Sequence, residues 1–240
     1  MWSKNLDADR QTIRRYAAWA GRLLAPAYLL GALALYATFL YAPTEQVMGD
    51  VQRIFYFHVG SAWNAFLAFL VVFIASIAYL KTRRVKWDQL AVASTEVGVV
   101  FTTITLVTGS IWAKPIWYTW WPWGDPRVTT TLVLWLMYVS YLILRSSLPE
   151  GDQKYKFCAV LGIVGFINVP IVWMSIRWWR THHPVVITSS GMNLESRMVD
   201  TLMISVFAFA ALYSVLLCLR TSMRLQERVT REMEVEVLAK

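Results

Sequence analysis

The residues of this chain that could do chemistry are three histidines, a run of tryptophans and one carboxylate beside them. Trp112, Trp117, Trp120, Trp121 and Trp123 fall within twelve residues, and the run closes on Asp125 and Arg127. Pro115, Pro122 and Pro126 are expected to keep this segment from being helical. Anchoring at a bilayer boundary accounts for one or two of these rings. Five suit a flat aromatic shelf for a large, planar, apolar ligand with polar edges, because indole supplies stacking area and keeps its N–H available. His58 lies at the start of one apolar run, and His182 and His183 follow another. A lone interfacial histidine is more often a hydrogen-bonded surface residue than a ligand. One imidazole from each of two helix ends, on either side of an aromatic plane, is the constellation that axial ligation of haem iron requires. Arg127, Lys114, Arg177 and Arg180 either pair with the propionates of such a ligand or anchor their helices at the interface. Asp125 either orients an imidazole or indole N–H or caps the helix that follows it.

The elements that must position these groups are transmembrane helices. Of the 240 residues, 57% are hydrophobic and 16% charged, against ~25% charged in soluble domains. Apolar runs at 23–41, 54–80, 90–111, 128–144, 157–176 and 198–219 are each near the ~20 residues that cross a ~30 Å hydrocarbon core. Barrel strands would be ~10 residues long and alternating. The expected fold is therefore all-α: one polytopic six-helix membrane domain over 1–240, with the tryptophan-rich segment 112–127 as a loop. Short connections leave no room for a second domain, and the first run is too long for the apolar part of a cleaved signal.

Charge sets the expected orientation. Lys4, Arg10, Arg14, Arg15, Arg22, Lys81, Arg83, Arg84, Lys86, Arg145, Lys154, Lys156, Arg220, Arg224, Arg228, Arg231 and Lys240 fall on one side. Arg53, Lys114, Arg127, Arg177, Arg180 and Arg197 fall on the other. The positive-inside rule then places both termini in the cytoplasm and the tryptophan-rich loop outside. The net charge of +8 reflects this topology and contact with anionic lipid, not nucleic acid. Cys158 and Cys218 sit at inner helix ends outside any Cys-x-x-Cys-His motif, which argues against covalent haem. There is no phosphate-cradling Gly-x-x-x-x-Gly-Lys loop, so energy from ATP would come through a partner. Within the spans Asn64 and Glu96 stand out; Glu96 either snorkels to the inner interface or makes a buried bond between helices.

The pattern Gly109-Ser-x-Trp112-x-Lys114-Pro115-x-Trp117-x-Thr119-Trp120-Trp121-x-Trp123 leading to Asp125, with His58 before it and Trp178-Trp179-x-Thr181-x-His183 after it, resembles the haem-handling C proteins of cytochrome c maturation, a tryptophan-rich "WWD" family. The resemblance runs over about 23–219. Gly124 stands between the last tryptophan and the carboxylate, and Thr131 stands where the family has a glutamate. The resemblance implies a six-helix protein of the bacterial inner membrane that binds haem b non-covalently at its outer face. His58 and His183 would be the axial ligands, with Trp112, Trp117, Trp120, Trp121, Trp123, Asp125 and Arg127 around the ligand. His183 is preferred to His182 because it keeps the motif's spacing after the tryptophan pair. It further implies delivery to a periplasmic haem chaperone, alongside an ABC ATPase, a second membrane subunit and a small single-span protein, with no catalytic activity of its own. The rival readings are a cytochrome b-type electron-transfer subunit, which would place paired histidines at bilayer depth, and a secondary transporter, which would show broken spans in matching halves. Reporter fusions after Trp112 and after Lys240 are expected to report opposite sides of the membrane; finding both on one side would overturn the six-span reading.

Overall fold

In the computed structural model, which describes residues 2–184, 186–188 and 191–238, nearly the whole chain is helical. Helix α1 (Trp2–Tyr36) continues through a π-helical turn (Ala37–Tyr41); a 3-10 turn (Asp50–Arg53) leads into α2 (Ile54–Thr82), followed by α3 (Val85–Trp117) and α4 (Pro126–Ser147). Then come α5 (Asp152–Phe166), α6 (Asn168–Trp178), the two-residue strands β1 (Ile187–Thr188) and β2 (Gly191–Met192), and α7 (Ser196–Leu238). The strands pair antiparallel. Six helical stretches are long and apolar enough to cross a bilayer, with α5 and α6 forming the fifth between them. This is a multi-pass membrane protein.

The helices outrun the apolar runs because the polar ends find partners. Ile13 and Tyr16, one turn apart on α1, pack against Leu225, Val229 and Met233 of α7, so both helices persist beyond the hydrocarbon zone as an antiparallel pair. Chain reversal between α2 and α3 takes two residues: Arg83, with φ 56°, caps α2 by donating its N–H to the Tyr79 carbonyl at 2.7 Å. Small residues let α2 and α3 approach closely, and a Cβ on Gly98 would lie 2.7 Å from the Phe69 ring. Phe69 in turn stacks on Tyr138 of α4 at 3.7 Å between centroids. Ser94 bridges three helices, donating to the Ala68 carbonyl at 2.7 Å or sharing its proton with the Tyr213 hydroxyl at 2.8 Å.

Two features differ from the sequence expectation. Helix α3 runs through Pro115 to Trp117, so Trp112 and Trp117 are helical and the loop is only 118–125. Proline near a helix end removes a single internal hydrogen bond, and the helix ends on Tyr118 at φ 59°. The apolar run 157–176 is a broken span. It is interrupted only at Ile167, which keeps helical dihedrals and donates its N–H to the Val164 carbonyl at 3.1 Å; α6 follows with Pro170 in its first turn and Asn168 Nδ2 donating to the Thr130 carbonyl of α4 at 2.9 Å.

At the end opposite the tryptophans, the carboxylates in the spans are paired. Glu96 accepts from Arg220 Nε at 2.6 Å and also pairs with Arg224, both on α7, so the interhelix bond is realised. Asp88 and Arg145 form a bidentate pair, 2.7 and 2.6 Å, with Asp88 3% and Arg145 8% exposed. Gln89 Nε2 completes the Asp88 shell at 3.0 Å. Asp88→Ala strands a buried guanidinium and is expected to cost roughly 3–5 kcal/mol, whereas Asp88→Leu with Arg145→Met removes both charges and costs far less. Thermal unfolding of the two variants in the same detergent checks this.

Candidate ligand site

Asp125 is where the site is assembled. It is the N-cap of α4, with Pro126 at the first helical position, and its Oδ1 accepts from the backbone N–H of Arg127 at 2.9 Å and of Val128 at 3.2 Å. The same Oδ1 accepts from His183 Nδ1 at 3.0 Å, while Oδ2 accepts from Thr181 Oγ1 at 2.6 Å and from the His182 N–H at 2.9 Å. The two roles open in the sequence, helix cap and imidazole partner, are thus filled together. Burial pushes the Asp125 carboxyl up, but the hydrogen bonds from His183 and Thr181 outweigh it and hold the group well below the usual carboxylate range. As a carboxylate it is acceptor-only, so His183 Nδ1 carries a proton and Nε2 is the ring nitrogen left for another partner.

His58 reaches the same state by another route. Its Nδ1 lies 3.2 Å from Thr108 Oγ1, whose own proton goes to the Ile104 carbonyl at 2.7 Å. The threonine oxygen is therefore the acceptor, Nδ1 is protonated, and Nε2 of His58 is again the basic nitrogen. Gly109 makes room for the ring, since a Cβ there would lie 3.0 Å from His58 Cε1.

Both imidazoles line one cavity of about 280 Å³, open on one side and predominantly apolar, at the lower edge of small-molecule pockets. Its walls include Trp112, Trp117, Trp120 and Trp121, together with the half-buried Arg127 and the exposed Arg177. Trp117 meets the His183 ring at 5.1 Å and Trp112 at 4.9 Å, nearly perpendicular in both cases. Trp121 Nε1 is buried and has no hydrogen-bond partner among the described residues. The loop is folded back on α3 by Ser110 Oγ donating to the Trp120 carbonyl, and Thr129 Oγ1 holds the Trp123 carbonyl at 3.1 Å. Trp123 stands outside the cavity, 73% exposed, touching Trp121 at 5.8 Å. Asp125 lies behind His183, away from the cavity wall.

A sequence model of the family described as heme exporter protein C matches residues 2–236. The chain belongs to the heme exporter protein C family. It is 35% identical over 208 residues to the heme exporter protein C of Bradyrhizobium diazoefficiens, covering 84% of this chain and 78% of that one. The Escherichia coli K12 heme exporter protein C is 35% identical over 184 residues, covering 76% and 74%. A mitochondrial protein of Marchantia polymorpha, provisionally named for cytochrome c biosynthesis and as ccmC-like, is 30% identical over 204 residues, covering 85% and 86%.

In this member of the heme exporter protein C family, sequence reasoning overlooked four contributors to the site. Trp63 of α2 and Trp173 of α6 line the cavity, Thr108 fixes the His58 tautomer, and Gly109 admits its ring. The one available signal was Trp63, five residues after His58 on the same helix. Thr131 lines the cavity too, but its hydroxyl is satisfied by the Arg127 carbonyl at 2.7 Å. Lys114 lies over the Trp120 ring at 5.8 Å. Asp125→Asn keeps the helix cap but turns one oxygen into a donor facing the His182 N–H, a loss of roughly 1–3 kcal/mol. Amide hydrogen exchange across 180–184 is expected to accelerate in that variant while the α4 interior stays protected.

Proposed function

We propose that this protein binds haem b non-covalently at the outer face of the bacterial inner membrane and presents it to a periplasmic haem chaperone during c-type cytochrome biogenesis. The observation that carries the reading is the matched pair of imidazoles. In each, Nδ1 is engaged by a fixed acceptor, leaving Nε2 basic on the wall of a shared apolar cavity, which is the state that ligates iron. The residues present fit such a cargo: indole walls for the ring, Arg127 and Arg177 beside them for carboxylates, and an unsatisfied Trp121 N–H for a polar edge. Haem bound there supplies the iron that His58 and His183 coordinate. The protein's share is to hold the ring between them and shield its faces from water. The names of the relatives, haem export and cytochrome c biosynthesis, agree with this cargo.

The excess of basic residues at the end opposite the site supports cytoplasmic termini and an outer tryptophan-rich loop. Tyr118, Trp120 and Trp123 are 86%, 57% and 73% exposed beside the cavity mouth, a surface suited to the chaperone because exposed aromatics act as interface hot spots. The protein acts as a non-catalytic subunit with an ABC ATPase, a second membrane subunit and a small single-span protein. An electron-transfer role of the cytochrome b kind is less well supported, since His58, His182 and His183 all stand at one end of the bundle.

His58→Ala and His183→Ala are each expected to reduce haem retained on purification at least tenfold, while His182→Ala, whose ring is no cavity wall, changes it little. Absorption spectra of acid-acetone extracts measure it, and a requirement for His182 in place of His183 would overturn the ligand assignment. Replacing Trp120, Trp121 and Trp123 together should lower chaperone co-purification more than membrane level; unchanged capture would reject the docking surface.

A further inference from the structure

The helices around the cavity form a ring with one open seam. Along the ring α7 packs on α2 and α3, α3 packs on α4, and α4 packs on α6, but α6 and α2 share no extended packed face. Lower down, the same side of the bundle is shut. There α5 lies tight on α2, where a Cβ on Gly162 would sit 2.8 Å from Ser76 Oγ and 3.0 Å from a Val72 methyl, and Phe73 stacks on Phe166 at 4.7 Å. The break after Ile167 ends this contact. Asn168 ties the start of α6 to the Thr130 carbonyl of α4, and from there α6 packs chiefly on α4.

At cavity level an aromatic pair reaches across this seam, beside Val169 and Val172 of α6, which belong to the same buried core cluster as Ala65, Ala68 and Phe69 of α2. Trp63 and Trp173 meet edge to face, 5.3 Å between centroids, and both line the cavity. Trp63 is 42% exposed, so it is not locked into the packing of the helices around it. It lies five residues from His58 into the span, about 7.5 Å along the axis, at a level where the surroundings are lipid. The Arg177 guanidinium sits over the Trp173 ring at 5.5 Å, one turn nearer the headgroups. A single edge-to-face contact is a weak latch compared with the interdigitated faces elsewhere in the ring.

We infer that the α2–α6 seam is a lateral portal through which the planar ligand passes between the bilayer and the cavity, with Trp63 and Trp173 as its two leaves. This rests on the reading of the cavity as a haem site. A flat macrocycle with one apolar edge and carboxylates on the other partitions into the outer leaflet with the carboxylates at headgroup level. In that attitude it meets the seam edge-on, apolar edge against the tryptophans and carboxylates level with Arg177.

The test uses the full-length protein in lipid nanodiscs and hemin supplied either from phosphatidylcholine vesicles or from water as its imidazole complex. Trp63→Cys with Trp173→Cys, joined after purification by a short bis-maleimide, is expected to load from vesicles at least tenfold more slowly than the same protein treated with N-ethylmaleimide, and to release preloaded hemin more slowly. Loading from water through the open mouth should change less. Trp63→Ala and Trp173→Ala should speed both loading from vesicles and escape. Equal loading of cross-linked and open protein, or alanine variants that escape faster without loading faster, would overturn the portal. Parent protein that binds no hemin from either source would instead overturn the site assignment itself.

Discussion

One carboxylate, Asp125, receives five hydrogen bonds from two segments more than fifty residues apart, and the geometry of the aromatic end follows from it. With its two donors on Oδ2 and three on Oδ1, little acceptor capacity remains for water. Such a group is expensive to bury and expensive to disturb, because every donor it loses is itself left unsatisfied. The consequence is a connection between the start of α4 and the loop after α6 that needs no regular secondary structure. It sets where α4 begins, and it sets which nitrogen of His183 is basic. His58, by contrast, is placed by helix packing, with Gly109 yielding space and Thr108 supplying the acceptor.

At the basic end, carboxylates are matched to guanidinium groups with good bidentate geometry, as in Asp88 with Arg145 and Glu96 with Arg220. At the aromatic end, His58 and His183 line a mostly apolar cavity, and the Trp121 N–H is buried without a hydrogen-bond partner among the described residues. A folded chain tolerates such residues where something else completes them.

Much of this was legible in the sequence because lipid imposes a simple rule. Uninterrupted apolar runs of spanning length have to be helices, and the positions of His58 and His183 relative to those runs put them at one end. What stayed hidden depended on tertiary proximity. Asp125 could be read as a cap or as a histidine partner, but that it is both depends on where the loop after α6 returns. Pro115 looked like a helix terminator, yet so near the end of α3 its cost is small. The run 157–176 is uniformly apolar, and the interruption at Ile167 is signalled only by Pro170 three residues later and by a side-chain bond from Asn168 to another helix. Trp63 and Trp173 are typical membrane residues taken singly, and their meeting across a gap has no linear signature. Thr131 needed no replacement partner, because a threonine satisfies itself on its own helix.

Helix α7 contains neither proline nor glycine over its 43 residues, which at 1.5 Å per residue is about 64 Å, roughly twice the hydrocarbon thickness. Near one end it presents Leu202, Met203 and Val206 to the cavity; near the other it carries Arg224, Arg228 and Arg231 beyond the apolar zone, braced by α1. An unjointed rod of this kind has no place to absorb torsion. Torsion applied at its charged tip meets no proline or glycine joint before the wall of the cavity and is shared only with α1, α2 and α3 packed along it, so one helix ties the basic end of the bundle to the aromatic end.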